Sequence, residues 1–407
     1  MRATQFKDGH YVHLLQGGVE FFPALVDAID SSVREVRLET YIYNFEDTAG
    51  EAVGAALERA ARRGVRVYLV MDGIGTPRVP EGWKHRFADA GVCWHRFSPL
   101  GRLGLLVPVV WRRLHRKLCI VDANIAFCGG INILDDYFDP AYGALESPRF
   151  DFAVSTTGPL VLDAHRAMVQ FWGRLQMTRQ LEQMSFREAR KTWKDSNLFT
   201  QSNPVSPQKG PRAGHAGVRA MLVLRDNLRN RNRIERAYLK AIAAAHQEVV
   251  IANAYFLPGG KLRRALIHAA KRGVRVRLLL QGRYEYFMQY HGARPVFGVL
   301  LAAGVEIHEY SAGFLHAKVA VVDGHWATVG SSNLDPLSLL LAREANVVID
   351  DAPFAQSLRG CLTDAMETHG TQIDAQTYAR RPLRQRLLDR LAFGVMRFLL
   401  FLAGRRY

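Results

Sequence analysis

Two short segments carry the residues of this sequence that are best suited to chemistry. Each fits the spacing H-x-K-x4-D, and each is followed by G-x-x-N at the same offset. The residues concerned are His115, Lys117, Asp122, Gly129 and Asn132 in the first segment, and His316, Lys318, Asp323, Gly330 and Asn333 in the second. Such a repeat is improbable by chance, so we interpret both segments as parts of an active site.

The local pattern predicts how these side chains are presented. The segments LHRKLCIVD and LHAKVAVVD alternate as strands do, and residues two apart on a strand point to the same face. Each segment therefore places an imidazole beside an ammonium, and two facing strands would surround one pocket with two His, two Lys and two Asn. Asp122 and Asp323 complete the repeated catalytic motif, but they follow the strand end, where a structural or charge-balancing role is expected.

A pocket of this composition suits a phosphodiester. Lysine and asparagine side chains can hold the non-bridging oxygens and stabilise the charge of a five-coordinate phosphorus. One histidine can attack phosphorus, while the other protonates the departing alkoxide and later accepts the proton of the incoming hydroxyl. This chemistry needs no metal or other cofactor, and we predict none.

A nucleophilic histidine needs a partner that orients its second ring nitrogen. Asp151, in RFDFAV, and Glu344, in LAREANVVI, each open an apolar run and are the candidates. The alternative is an ordinary surface carboxylate at a strand start, and the sequence does not decide between the two.

The elements around the motifs also repeat. EVRLETYIYNF and EVVIANAYFLPG each precede an amphipathic stretch that ends at Gly64 or Gly273, and a second apolar run follows at once. Strand–helix–strand twice predicts an α/β fold with two similar domains. We place the first at 1–180, a polar linker at 181–216, the second at 217–370 and a basic, apolar tail at 371–407.

Composition narrows the class of partner. The formal net charge is +16, and 44 of the 54 basic residues are arginine, which favours phosphate-bearing partners such as anionic lipid or nucleic acid. The four cysteines form no CxxC pair, which argues against a zinc site and fits a reducing compartment. We find no secretory signal and no uncharged apolar run long enough to span a membrane.

The doubled motif resembles the phospholipase D superfamily, and the order of LETYIYNFEDTAG, RRLHRKLCIVD, IANAYFLPG and LHAKVAVVDGHWATVGSSN resembles the bacterial cardiolipin synthases that lack N-terminal spanning helices. The resemblance covers about residues 10–370. It implies two domains, each a mixed sheet flanked by helices, related by a pseudo-twofold axis with the active site between them.

The resemblance also implies roles for the motif residues. His115 would form a phosphohistidine, and His316 would act as general acid and base. Asn132 and Asn333 would bind phosphate together with Lys117 and Lys318. The reaction would transfer a phosphatidyl group from one phosphatidylglycerol to another, at the cytoplasmic side of the inner membrane. Asp151 and Glu344 occupy the positions of carboxylates that pair with the histidines.

Two segments favour contact with a membrane. Residues 99–114 mix an apolar run with Trp111 and arginines, and residues 380–407 hold apolar side chains such as Leu391, Phe393 and Phe398 among eight arginines. We predict peripheral, in-plane association with anionic lipids. The alternatives are a buried strand for the first segment and a helix packed on the second domain for the tail.

Three other functions remain open at this stage. A phospholipase D would let water, rather than a lipid hydroxyl, resolve the phosphohistidine. A nuclease of the same superfamily would fit the positive charge, although the apolar, arginine-flanked segments favour lipid, and we expect no nucleic acid partner. A non-catalytic lipid-binding protein is disfavoured because both motifs are complete. The sequence does not determine the oligomeric state.

Overall fold

The computed structural model describes residues 5–99, 112–139, 142–182, 217–226, 230–283, 287–335 and 342–402. Most of the expected linker, residues 183–216, and most of the first expected membrane segment, residues 100–111, lie outside these ranges. Trp111 is therefore not described, whereas the tail is described as far as residue 402.

Within the described ranges the chain forms helices and strands in the alternation that the sequence predicts. The helices are α1 (Gly17–Asp30), α2 (Thr48–Arg62), α3 (Glu81–Ala90), α4 (Pro159–Glu182), α5 (Arg233–Ala244), α6 (Gly260–Lys271), α7 (Phe287–Leu301), α8 (Ala352–His369), α9 (Ala375–Ala379) and α10 (Leu383–Leu402). The strands are β1 (Lys7–Gln16), β2 (Glu35–Thr40), β3 (Arg66–Asp72), β4 (Cys93–Phe97), β5 (Arg113–Leu114), β6 (Lys117–Val121), β7 (Ile125–Gly129), β8 (Phe138–Asp139), β9 (Gly143–Ala144), β10 (Phe152–Thr157), β11 (Val218–Arg225), β12 (Glu248–Asn253), β13 (Arg275–Gln281), β14 (Glu306–Tyr310), β15 (Lys318–Val322), β16 (Trp326–Gly330), β17 (Ala342–Asp350) and β18 (Gly370–Gln372).

A single mixed sheet runs through both halves of the molecule. Its order is β18-β14-β13-β12-β15-β16-β17-β11-β1-β10-β7-β6-β2-β3-β4, with β5 attached to β17. Apart from β18, the order of the second half mirrors that of the first about the antiparallel pair β1–β11. The α/β fold with a mixed sheet flanked by helices, expected from the sequence, is confirmed.

The sequence repeat corresponds to a repeat of strand register. Val36 pairs with Val121 in the first half, and Val249 pairs with Val322 in the second. The bridges Tyr43–Ile133 and Phe256–Leu334 extend the same correspondence beyond the strand ends. Positions in the two halves can therefore be compared residue by residue.

Local signals explain why strand follows helix so closely in each half. In α2, apolar side chains at Val53, Ala56, Leu57 and Ala60 are buried at helical spacing. The glycine that follows the helix cap, Gly64 with φ +88° and Gly273 with φ +89°, turns the chain into the next strand two residues later. A residue with a Cβ rarely adopts this left-handed conformation, which is why glycine stands there.

Among the residues that the structure describes, three main apolar cores hold the sheet and helices together. One lies under α1 and α2 in the first half, and another under α5, α6 and α7 in the second. The third joins the halves, since it combines β7 and β10 with β15, β16 and β17 and is covered by α4 and α8. Because this shared core lies beside the catalytic strands, packing between the halves fixes how the two motifs face each other.

Candidate active site

The two motif histidines stand just before equivalent strands and are each bonded to the opposite half. His115 precedes β6, and its backbone N–H donates to the carbonyl of Arg343 at 3.0 Å. His316 precedes β15, and its N–H donates to the carbonyl of Phe150 at 2.9 Å. In each half, the residue that precedes the candidate carboxylate, Glu344 or Asp151, thus accepts a backbone hydrogen bond from the motif histidine of the other half.

The carboxylates pair with the histidines across the two halves. The Nδ1 of His115 lies 3.1 Å and 3.2 Å from the two carboxylate oxygens of Glu344. The Nδ1 of His316 lies 2.6 Å from Asp151 Oδ2. Both carboxylates are buried. These contacts leave Nε2 of each ring as the nitrogen directed away from the carboxylate.

The two histidine–carboxylate pairs are not identical. Ser331 Oγ donates to Glu344 Oε2 at 2.5 Å, which adds a third member on the His115 side. The corresponding position in the first half is Gly130, where a Cβ would lie 2.2 Å from Asp151 Oδ1. Glycine is therefore required at 130, and no hydroxyl can support Asp151 from that position.

Both motif lysines are buried beside the histidines. Lys117 is 5% exposed and Lys318 is 0% exposed, and each ammonium donates to the backbone carbonyl of the histidine two residues before it. Burial, and after it the charge of Lys318, lowers the pKa of Lys117 to about 7. Two buried ammonium groups near each other form a site that favours an anion between them.

The motif asparagines are also buried at the same end of the strands. The side-chain carbonyl of Asn132 accepts a hydrogen bond from the backbone N–H of Ile42 at 3.2 Å. Asn333 is 3% exposed, and its Oδ1 has no hydrogen-bond partner among the described residues. Their location is compatible with the phosphate-binding role that the sequence suggests.

Asp122 and Asp323 follow the other end of β6 and β15, about seven residues after the motif histidines, which is roughly 23 Å along an extended strand. The carboxylate of Asp122 accepts hydrogen bonds from the backbone N–H groups of residues 33, 34 and 35. Asp323 does the same for residues 246, 247 and 248. These carboxylates anchor the start of β2 and β12, which favours the structural role that the sequence suggested for them over a catalytic one.

Comparison with known proteins identifies the family. The family model described as cardiolipin synthase, PLD-like domain matches residues 25–145 and 238–363. The chain is 38% identical to cardiolipin synthase B of Shigella flexneri and of Escherichia coli K12, over 98% of this chain and 91% of each relative. The chain belongs to the cardiolipin synthase family of phospholipase D-like proteins.

Other relatives of this family are more distant. Cardiolipin synthase of Geobacillus kaustophilus is 30% identical over 92% of this chain and 70% of its own length. Among solved structures, phosphatidylserine synthase of Haemophilus influenzae aligns with a TM-score of 0.64 at 12% identity, over 96% of this chain and 93% of that protein. At this identity the likeness supports the fold.

In this member of the cardiolipin synthase family, burial and nearby charges shift the pKa values of the two histidine–carboxylate pairs differently. Burial lowers the pKa of His115, although the Glu344 carboxylate opposes the shift. Burial acts to raise the pKa of Glu344, but the charge of His115 and its hydrogen bond outweigh that effect, and the pKa is lowered. Glu344 is therefore ionised at neutral pH and His115 is neutral.

The second pair retains a proton to higher pH. Burial, followed by Lys318 and Lys117, lowers the pKa of His316 well below its usual value. Burial raises the pKa of Asp151 to about 7, against the pull of Lys318. Because the two groups share a 2.6 Å hydrogen bond, this proton belongs to the pair rather than to one residue.

Sequence reasoning missed two residues of the site. Ser331 lies inside the G-x-x-N segment, and a comparison of GGIN with GSSN shows that the halves differ there. Tyr41 follows β2, and its ring centroid lies 4.9 Å from that of His115 and 5.5 Å from Lys117 Nζ. The equivalent of Tyr41 in the second half is Ala254, so this aromatic contact belongs to the His115 side.

A cavity of about 900 Å³ opens beside the second pair. It lies between α1 of the first half and α8 of the second, and Phe150, which precedes Asp151, forms part of its wall. Tyr310 stacks on Phe150 with ring centroids 5.2 Å apart. Within the described ranges we find no group of His, Cys, Asp and Glu that could hold a metal ion, and no helix both long and apolar enough to span a membrane.

Proposed function

We propose that this protein makes cardiolipin by transferring a phosphatidyl group from one phosphatidylglycerol to another through a phosphohistidine on His115. The observation that carries the proposal is the crossed arrangement of two histidine–carboxylate pairs beside two buried lysines. The names of the full-length relatives support the choice of product.

His115 is suited to the role of nucleophile. Its Nδ1–H is directed to the ionised Glu344, so Nε2 keeps an unprotonated lone pair at neutral pH. Attack of this nitrogen on the donor phosphorus forms a P–N bond while the P–O bond to glycerol breaks. In this proposal Lys117, Lys318 and the two asparagines hold the non-bridging oxygens.

His316 is suited to the role of proton donor. Below about pH 7 the Asp151–His316 pair carries one proton more than the His115–Glu344 pair, so Nε2 of His316 can hold a proton. This proton passes to the leaving glycerol oxygen. In the second step His316 accepts the proton of a hydroxyl on the second phosphatidylglycerol, whose oxygen attacks phosphorus and displaces His115. The products are cardiolipin and glycerol.

Product analysis tests the proposal directly. Purified protein is incubated with phosphatidylglycerol vesicles, and the lipids and released glycerol are resolved. Cardiolipin with equimolar glycerol is the expected result. Phosphatidic acid as the main product would instead identify a hydrolase, and cleavage of DNA without lipid turnover would identify a nuclease.

Trapping of the intermediate tests the assignment of the two histidines. We expect His115→Ala to abolish both turnover and covalent labelling from radiolabelled phosphatidylglycerol. We expect His316→Ala to accumulate a slowly released phosphoenzyme, because the base for the second step is missing. A label found on His316 would reverse the roles.

We also propose that α10 attaches the protein to the cytoplasmic face of an anionic membrane. Its inner side packs on α7, where Asp389 is buried and accepts hydrogen bonds from His291 at 2.8 Å and Arg381 at 3.0 Å. The opposite side exposes apolar residues at helical spacing: Leu383, Leu387, Leu391, Val395 and Phe398. Exposed Arg384, Arg386 and Arg390 accompany them. The inner side of α10 therefore packs on the second domain, which was one alternative for the tail. The outward side suits a lipid interface, which was the other.

A further inference from the structure

Two arginines next to the catalytic residues form a buried cluster with an excess of positive charge. Arg116 stands between His115 and Lys117, but alternation along the chain turns its side chain to the other face of the sheet. Arg116 is 4% exposed, and Arg343, which precedes Glu344, is partly buried. Both guanidinium groups lie over the ring of Phe171, at 5.2 Å and 4.7 Å from its centroid.

One carboxylate serves both arginines. Glu39 Oε2 lies 2.8 Å from Arg116 Nη2, while Arg343 makes no ion pair within 4 Å to any described residue. A further carboxylate whose charge acts on Arg343, that of Asp226, accepts hydrogen bonds from Asn230. Exposed Arg174 adds positive charge. The cluster therefore lacks a negative charge.

Some hydrogen-bond donors of the Arg116–Arg343 cluster also have no acceptor. Nε of Arg116 and Nε of Arg343 are buried and have no hydrogen-bond partner among the described residues. Burial, followed by the charge of Arg116, lowers the pKa of Arg343 to about 10. Buried guanidinium groups with free donors are costly unless an anion completes them, and a phosphate offers oxygens that match their geometry.

The cluster occurs on one side of the molecule only. The positions equivalent to Glu39, Arg116 and Arg343 are Ala252, Ala317 and Phe150 in the other half, and all three are apolar. A purely architectural requirement of the fold would apply to both halves. The difference matches a reaction in which two lipids must occupy different places around one phosphorus.

We propose that Arg116 and Arg343 form a second phosphate-binding site, which holds the phosphodiester of the second phospholipid while the first is attached to histidine. Its role in transfer rests on the proposed function. The two phosphates of cardiolipin are joined through a single glycerol, so the acceptor phosphate must lie close to the reacting one. Although the Arg116 side chain turns to the other face of the sheet, Arg116 and Arg343 are each one residue, about 3.8 Å between Cα atoms, from a residue of the reacting site. Partly exposed Arg343 gives the cluster access to the surface.

Phosphate stoichiometry tests the site independently of lipid chemistry. Equilibrium dialysis of the full chain with radiolabelled inorganic phosphate should show two sites in the wild-type protein and one in Arg343→Met. Arg343→Lys, which keeps the charge, should retain the second site. Arg283→Met is the matched control, since Arg283 also lies over an aromatic ring, that of Phe314, but donates to backbone carbonyls. One site in the wild-type protein, or two in Arg343→Met, would overturn the proposal.

A lipid assay distinguishes a headgroup from free phosphate. With phosphatidylglycerol vesicles, Arg343→Met should form cardiolipin about tenfold more slowly or worse and shift the product toward phosphatidic acid, whereas Arg343→Lys should keep the wild-type product ratio. Loss of the second phosphate site with unchanged cardiolipin formation would identify free phosphate as its ligand. If the wild-type protein makes no cardiolipin, the proposed function fails, while the dialysis result still decides the site.

Discussion

At the scale of residues, two nearly identical motifs have unequal surroundings. Glu344 has the Ser331 hydroxyl and Tyr41 lies against His115, whereas Asp151 faces Gly130 and the equivalent of Tyr41 is an alanine. Bonds from His115 and Ser331 help to keep the pKa of Glu344 low, whereas burial raises the pKa of Asp151, so the protons are divided unevenly between the two pairs. A double displacement needs that inequality, because one ring must be free to attack while the other carries a proton.

The first prediction at this scale concerns pH. Because the pKa of Asp151 is raised to about 7, the Asp151–His316 pair loses its extra proton as pH rises through this range, and glycerol release should decline above about pH 7. Asp151→Asn cannot carry that proton, so its kcat should be lower by about 10²–10⁴ and lack this alkaline limb. The measurement is kcat for glycerol release between about pH 5 and pH 9, a range that includes the expected decline. A wild-type rate and profile in Asp151→Asn would remove His316 from the role of acid.

The second prediction concerns Ser331. Ser331→Ala removes a hydrogen bond to the ionised Glu344 and should lower kcat by about 10–100-fold, because support of the nucleophile's partner is lost. Ser331→Thr, which keeps the hydroxyl, is the control and should recover part of the rate. Thermal unfolding of each variant shows whether the loss is catalytic. Equal activity of alanine and wild-type proteins would mean that the hydroxyl has no part in orienting His115.

At the scale of elements, strand register decides which motif residues reach the site. Lys117 and Lys318 open β6 and β15 at the catalytic end, whereas Asp122 and Asp323 follow the opposite end. Both aspartates have positive φ, 53° and 49°, and their carboxylates hold the backbone that enters the neighbouring strand. The identical spacing between lysine and aspartate in the two motifs thus corresponds to the five residues of one strand.

Substitution of these aspartates should affect stability more than chemistry. Asp122→Asn and Asp323→Asn should each lower the free energy of unfolding by about 2–4 kcal/mol, because charge-assisted bonds to three N–H groups are weakened. Activity per folded molecule, measured well below the transition temperature, should stay within about threefold of wild type. Complete loss of activity in a stable Asp122→Asn protein would return this residue to the catalytic set.

The exposed side of α10 provides a second prediction at the scale of elements. Leu387→Glu with Leu391→Glu should weaken co-sedimentation with phosphatidylglycerol vesicles by about tenfold or more, because burial of two leucine side chains is lost and negative charge is added. The melting temperature should not change, since both residues face away from α7. Val33→Glu, another exposed apolar position but remote from α10 in sequence, is the matched control. Undiminished binding by the double variant would exclude this face as the membrane contact.

At the scale of the whole molecule, the halves share one sheet and one core, and each supplies the carboxylate for the other's histidine. Strands β1 and β10 of the first half continue into β11 and β17 of the second through the β1–β11 pair. Neither histidine has its orienting partner within its own half. The site therefore depends on the docking of the halves as much as on either motif.

Shared structure should make unfolding cooperative. Differential scanning calorimetry should give one transition, and Asp122→Asn and Asp323→Asn, in opposite halves, should each move that same transition. Two transitions, each moved by one variant alone, would show that the halves unfold independently.

The sequence by itself determined the doubled motif, the α/β repeat and the candidate residues, because these depend on spacing and alternation along the chain. It did not determine that Asp151 pairs with His316 and Glu344 with His115, since these partners come from opposite halves and meet only once the halves pack together. It also gave no sign that Arg116 and Arg343 face one another, because residues distant in the chain and on different strands are brought together by the sheet. Local interactions fix which residues share a strand face, whereas packing between the halves fixes which faces meet.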